Sequence, residues 1–560
     1  MEDLTASLEK LRVNTGEPTP GPFEDLINQL HELEDSTTVC EELVKGGVLL
    51  LTVKAIQSSS PEAQAKGAEL VAELAKVENC RLGCVTNGLV PILVEKMSSS
   101  NTKVALQACR ALGNICYEHV FLPDGGRVSV MESGGASQLL SLLQRAAGLP
   151  NTPDDHQLRL VATGFLLNLL NSYDTVQDQS MEAELVDVLC QYLDKFAEDE
   201  DIPTHVLLSL TCMADTEVGR GLVVSRDITP HLVRVLRINE SPEVTETCLE
   251  LVTNLAETDE SMGIVYGNGS GCVYQELVDW LTSDLEDLQI AGALAMGNFA
   301  RSDAHCIQMV ESGIAEKLLK VLSSHNSGEG DIRLQHALLS ALRNLSIAKE
   351  NKPVLVTQSA LEVLLPMATA IETFPVVFKL LATLRMIIDG QTDAAVKVGS
   401  DSDVVSRLVG WCSTTDHPGV QGESSRLLAW IIKNCGGDTS IIKSLVSAGC
   451  VAPLVLMLGS EHAVMVNEAA LALVLVFGTA VTDSVVEKTK LAEVVTFVVK
   501  NPYLPPEILA NVLSMMTALS ANATALESIK TDDLRTAVKE LSSHANEQVK
   551  NLAVALTEKL

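Results

Sequence analysis

Aromatic residues are scarce in this sequence. Phe, Tyr and Trp make up 3% of the 560 residues, although 46% are hydrophobic. The apolar content is mostly Leu, Val and Ala, side chains that suit helix-on-helix packing. Positive charge is also short: 40 Lys and Arg stand against 73 Asp and Glu, a formal net charge of −33. A phosphate binder needs a basic face, so this balance argues against DNA, RNA and anionic membranes. It favours basic partners, or simple solubility. No run of 18 apolar residues is free of charges, so no transmembrane helix or direct membrane insertion is expected. No segment sustains the alternation of a strand.

Catalytic and metal motifs are missing too. "GNGSGC" (Gly267–Cys272) is a glycine-rich turn without the P-loop lysine, and no HExxH occurs. Cys80 and Cys84 in "CRLGC" are one helical turn apart but have no second ligand pair. The eleven histidines are dispersed. The expectation is no cofactor, no metal and no covalent chemistry. The acidic, polar start "MEDLTASLEKLRVNTGEPTPGP" does not read as a signal peptide, and the end "LTEKL" has no prenylation motif. The thirteen cysteines are therefore expected to be reduced thiols in the cytosol or nucleus.

What is present is a repeat. Alanine- and leucine-rich helical patterns align on Glu73, Asn114, Asn168, Cys212, Asn254, Asn298, Asn344, Met386, Trp430, Val474 and Met516. From Asn254 onward the steps are 44, 46, 42, 44, 44 and 42 residues, a period that matches armadillo or HEAT arrays. The step from Asn114 to Asn168 is 54, with the extra length assigned to the polar stretch "GLPNTPDDH". A second signature is a glycine before a leucine-rich helix, as in "NGLVPILVEKM" and "SGIAEKLLKVL". Glycine there ends one helix left-handed and lets the next turn away. A short helix before the glycine makes three per unit, which is the armadillo pattern. The expected fold is an all-α, right-handed superhelical armadillo solenoid. It would have about eleven repeats and a C-terminal cap, "NEQVKNLAVALTEKL". Residues 1–22 read as a flexible N-terminus and linker, 23–290 and 291–560 as two halves of the array.

The long third helix of each unit would line a concave groove. Asn recurs there in five units, either to bond the backbone of a bound chain or to bridge neighbouring repeats. Charge along this face is uneven. Asp194–Asp287 holds 20 acidic and 5 basic residues. Glu246, Glu250, Asn254 and Glu257 form an acidic stripe suited to a basic segment. The C-terminal groove is mixed, with Asn298, Asn344, Lys379, Arg385, Glu423, Arg426, Asn467 and Glu468 as candidate contacts; Ser340 and His336 share the face of Asn344. Gly113 and Gly164 permit close approach of a helix or a ligand. The import-adaptor arrangement, Trp one turn before Asn, is missing: those positions hold Arg110, Gly164, Glu250, Leu294 and Ser340.

"LQIAGALAMGNFARSDAHCIQMVESGIAEKL", "LQHALLSALRNLSI", "FKLLATLRMIID", "GVQGESSRLLAWII", "RALGNICYE" and "ESMGIVYGNGSGCVYQELVDWL" resemble the small-GTPase GDP-dissociation stimulator (SmgGDS) family. The similarity is strongest from Glu260 to Arg426, and the segment from Phe121 to Ile228 diverges. The resemblance implies a monomeric cytoplasmic protein, open also to the nucleus, that binds Rho-, Rap- and Ras-type GTPases. Its partners would be prenylated small GTPases with polybasic C-termini. It would promote nucleotide exchange and shield the lipid, near Gly113, Gly164 and Asn168, with the GTPase body on the C-terminal half. The chain resembles the family's shorter form, which lacks one N-terminal repeat. The alternative is a passive armadillo scaffold that binds basic peptides without exchange.

Overall fold

A computed structural model describes residues 17–117, 125–171, 183–255, 258–479 and 489–560. Among these the chain is all-α: 35 α-helices, one 3-10 turn at Gly267–Gly269, and no strand. Glu257 and residues 1–16 of the expected linker lie outside the described residues. The first helix among the described residues, Gly21–His31, already includes the last two residues assigned to that linker.

The recurring unit is a short helix, a second helix and a longer third. Asn351–Thr357, Ala360–Ala370 and Phe374–Ile388 are one example. The first two meet at 76°, and Thr439–Ser447 meets Val451–Leu458 at 87°. A turn this sharp needs a left-handed residue. Gly47, Gly88, Gly134 and Gly313 supply it with φ between +71° and +85°, each immediately before the second helix. L-side chains crowd the following carbonyl in that region, and glycine does not. Ser359 occupies the same place with φ +64°, so this unit carries a strain that those four glycines avoid.

Several third helices start at side-chain caps. Asp331 Oδ1 accepts from the backbone N–H of Arg333 (2.7 Å) and Leu334 (3.0 Å), and Asn101 Oδ1 from those of Lys103 and Val104. These bonds satisfy donors that a helix N-terminus leaves free. Within each part of the array the third helices then pack in series. Pro61–Ala75 meets Thr102–Cys116, which meets Pro153–Leu170; in the C-terminal part Ile332–Leu345, Phe374–Ile388, Pro418–Asn434 and Ala463–Thr479 follow in series. Leu338, Leu342, Leu380, Leu384 and Leu427 have no exposed surface, and each buried leucine stabilises the stack by roughly 1.5–3 kcal/mol.

The array divides into two compact units, Met1–Glu276 and Leu277–Leu560. The division falls inside the helix Cys272–Trp280, upstream of the 290/291 boundary expected from the sequence. Two local expectations change. The long step before Asn168 is not a simple loop insertion: the second helix, Gly135–Ala147, has 13 residues and the third, Pro153–Leu170, has 18, so "PDDH" is already helical. Buried Arg159 holds the remaining turn by donating to the carbonyls of Ala146, Leu149 and Pro150. The expected cap helix, Glu547–Thr557, is the third member of a triplet that begins at Ala523.

Ser359→Gly should raise stability by about 1 kcal/mol, because only the left-handed penalty is relieved. Gly313→Ser should lower it by a similar amount. Paired urea melts with unchanged slopes check both; a neutral Ser359→Gly would mean that its backbone carries no such strain.

Candidate functional site: the long-helix faces

The recurring asparagine forms a rung between third helices. Asn114 Nδ2 donates to the Ala72 carbonyl at 2.9 Å, Asn168 to Gly113 at 3.2 Å, Asn254 to Thr211 at 3.5 Å and Asn344 to Gly297 at 3.0 Å. Every acceptor lies one residue before the equivalent position of the preceding helix. Every acceptor also belongs to the last four residues of its helix or immediately precedes them, where carbonyls lack an intrahelical partner. Asn298 is half-buried and likewise engaged within the chain. Of the two roles open to these residues, bridging repeats is the one that the amide N–H groups of Asn114, Asn168, Asn254 and Asn344 perform. The glycine before the asparagine fits the same contact. A Cβ on Gly113 would stand 3.4 Å from Phe165 of the next helix, and one on Gly297 would stand 3.8 Å from Ala341. Gly164 faces the His205 ring in the same way, at 3.4 Å.

Four candidate contact residues pair with one another. Arg385 Nε donates to Glu423 Oε2 at 2.8 Å; Arg426 Nη1 donates to Glu423 Oε1 at 2.8 Å. The other edge of Arg426 grips Glu468 with bonds of 2.7 and 2.8 Å. The network crosses three helices and is largely buried, Arg385 to 4% and Glu423 to 8% exposure. Its charges cancel internally, and Arg385 lies 5.4 Å from the Trp430 ring centre. The hydrogen bonds to Glu468 hold the Arg426 guanidinium far above its ordinary pKa, outweighing its burial. Asn467 is occupied too, accepting from Asn511 Nδ2 at 2.8 Å. In the N-terminal unit Glu73 plays a similar part, bound by Arg110 at 2.6 Å and Lys76 at 2.7 Å.

Two stretches of the long-helix faces are left with uncompensated charge. In the first unit Glu246 and Glu250 are exposed one turn apart on Pro242–Leu255, with no ion-pair partner among the described residues. Asp215, which accepts from Asn254 Nδ2 at 2.8 Å, adds a third carboxylate. Burial, then Asp215 and Glu250, push the neighbouring Cys212 thiol up to about 11. In the second unit Lys379 is half-buried without an ion-pair or hydrogen-bond partner among the described residues, and burial together with Arg343 lowers its pKa.

The comparisons with known proteins fit this architecture. The Armadillo/beta-catenin-like repeat model matches residues 84–117. Rap1 GTPase-GDP dissociation stimulator 1-A of Xenopus laevis is 32% identical over 614 aligned positions, covering 100% of this chain and 99% of that protein. The chain belongs to the Rap1 GTPase-GDP dissociation stimulator family. The family includes "GTPase-GDP dissociation stimulator vimar" of Drosophila melanogaster, 32% identical over 73% of this chain and 76% of that one. Setting 614 aligned positions against 560 residues leaves at least 54 without a counterpart in this chain, more than one repeat. Among solved structures, an engineered protein superposes with a TM-score of 0.61 at 25% identity, over 76% of this chain and 98% of that one. A chain from a study of the phosphorylation switch between cadherin and beta-catenin matches at 0.55 and 13% identity over 99% of each, which establishes the shared fold.

Sequence reasoning missed a pocket in the second unit. A cavity of about 400 Å³ is lined by Phe374, Ser406, Arg407, Trp411 and Thr414. The Arg407 guanidinium stacks 5.0 Å from the Trp411 ring centre, and its buried Nε has no hydrogen-bond partner. An Arg and a Trp four residues apart on a second helix was the available signal.

The rung predicts an order of severity. Asn344→Ala should cost about 1–3 kcal/mol, since the Gly297 carbonyl loses its donor. Asn344→Asp, equal in size but without the N–H, should cost more, because it sets a carboxylate against that carbonyl. Glu423→Gln should cost about 3 kcal/mol or more by leaving buried Arg385 uncompensated. Equilibrium denaturation checks all three; an Asn344→Asp variant as stable as the parent would rule out the rung.

Proposed function

We propose that this chain is a guanine-nucleotide exchange factor and chaperone for prenylated small GTPases with polybasic tails. Two kinds of support converge: membership of a family whose named relatives are GTPase-GDP dissociation stimulators, and the unpaired Glu246–Glu250 stripe with Asp215. The stripe carries the tail assignment. Three carboxylates without internal cations attract a lysine-rich segment and cost nothing in broken ion pairs. Glu73, Glu423 and Glu468 on other long helices do not offer this, since they are already bound.

Exchange requires no covalent step. The protein has only to bind the nucleotide-poor GTPase more tightly than the nucleotide-bound one, and the coupling then accelerates GDP loss. Asn298, Asn344 and Lys379 remain the groove positions for the GTPase body in this proposal. Arg385, Glu423, Arg426, Asn467 and Glu468 act behind them by fixing helix spacing. The prenyl chain lies between third helices of the first unit, where Gly113, Gly164 and Asn168 make the helix contact. Each lipid methylene buried there contributes roughly 0.8 kcal/mol. The chain acts as a monomer in the cytoplasm, and the 54 unmatched positions support the shorter form of the family. No residue cluster on these faces supports covalent catalysis, so the competing reading is a passive scaffold.

The decisive measurement is release of a fluorescent GDP analogue from one small GTPase, prenylated or not, with its lysine-rich tail intact or neutralised. Acceleration is expected, strongest for the prenylated form. Glu246→Lys with Glu250→Lys should weaken binding of the intact tail about tenfold at low salt, and added salt should have the same effect on the parent by screening. Tight binding without faster release would instead identify a scaffold. Gly164→Leu extends a side chain toward His205 and should selectively reduce affinity for the prenylated form. Equal loss for both forms would signal a packing defect in place of a blocked lipid slot.

A further inference from the structure

We propose that His336, Arg343 and Lys379 form a receiving patch on the second unit for a carboxylate presented by an acidic segment of a protein partner. This deepens the reading above and rests on it only for the partner's identity. The chain carries 73 acidic residues, yet the helices Ile332–Leu345 and Phe374–Ile388 contain none. His336, Ser340 and Arg343 recur at helical spacing along one face of the first. Thr383 Oγ1 donates to the Leu339 carbonyl at 3.1 Å, which fixes the register of the second helix and brings Lys379, one turn earlier, beside that face.

Neither the two cations, Arg343 and Lys379, nor His336 beside them has an anion among the described residues. Lys379 has no partner among the described residues, and Arg343 reaches only the neutral Asn344 Oδ1 at 3.2 Å. Burial and Lys379 lower the pKa of His336, and burial and Arg343 lower that of Lys379; an anion bound among them would relieve both. The contrast is Arg385 on the same helix, closed off by Glu423. Ser340 Oγ, one turn from both His336 and Arg343, is buried without a hydrogen-bond partner and offers a further donor. Leu294, one turn before Asn298 on the neighbouring helix Glu286–Phe299, is 48% exposed and supplies an apolar contact beside the charges. A polyanion such as nucleic acid would meet the protein's net charge of −33 on every side. A single carboxylate within an otherwise neutral or apolar segment would not. The molecule thus selects for opposite charges in two places: cations along Glu246–Glu250 and an acid at Lys379.

The test uses the full-length protein and two fluorescein-labelled peptides that alternate leucine with glutamine, one of them with a single central glutamate in place of a glutamine, followed by anisotropy. The glutamate peptide should bind about tenfold more tightly. Arg343→Met with Lys379→Met should remove that preference, Lys379→Arg should keep it, and Lys433→Met, which removes a cation stacked on Trp430, should leave it intact. Equal binding of the two peptides by the parent, or an undiminished preference in the double variant, would overturn the proposal. So would displacement of the glutamate peptide by inorganic phosphate and not by chloride at equal ionic strength, because the site would then be a phosphate site. If the double variant melts early, Lys379→Gln alone must still reduce the preference. No GTPase is present in this assay, so its failure and a failure of nucleotide release are separate results.

Discussion

The donation of one asparagine N–H to one last-turn carbonyl is the contact on which the array's spacing depends. A helix end leaves carbonyls without partners, and in a stack of short helices those ends recur every forty-odd residues. Water could satisfy them at the surface. An asparagine from the next helix does so directly and fixes how far one helix can slide along the other. Gly113 and Gly297 belong to the same device, because they present the acceptor while keeping Cβ atoms out of the interface. Where asparagine is absent, other side chains take over the spacing: Thr383 bonds the Leu339 carbonyl, and Arg385, Glu423, Arg426 and Glu468 link three successive helices.

This division of labour explains the distribution of free charge. Polar groups that hold helices together are consumed by that task and turn inward, so the long-helix faces show a partner only what is left. On the first unit the remainder is acidic, at Glu246, Glu250 and Asp215. On the second it is basic, at Arg343 and Lys379, with His336 beside them. Buried ion pairs gain little net stability over an apolar contact, but their geometry is exacting. The Arg385–Glu468 network therefore sets register more than it adds binding energy. A partner that reads both faces must itself carry a basic stretch and an acidic one, a stronger requirement than the net charge of −33 alone would impose.

The sequence by itself determined what depends on near neighbours. Periodic Leu and Ala specify helices, a recurrence in the low forties specifies the armadillo unit, and Gly88, Gly134 and Gly313 mark its sharp turns because a left-handed backbone is a local demand. The Glu246–Glu250 stripe was legible for the same reason, since one turn of helix separates the two residues. Tertiary structure alone decided which polar groups are used up. Arg385 finds Glu423 at a separation of 38 residues and Arg426 finds Glu468 at 42, distances that periodicity along a single helix does not register. Four residues that share a helical face with ligand-facing positions thus became each other's partners, and the asparagines became rungs. Lys379 kept its charge free because neither its own helix nor the one before it contains an acid to meet it. Whether a side chain is available to a ligand is settled by what the next repeat places against it.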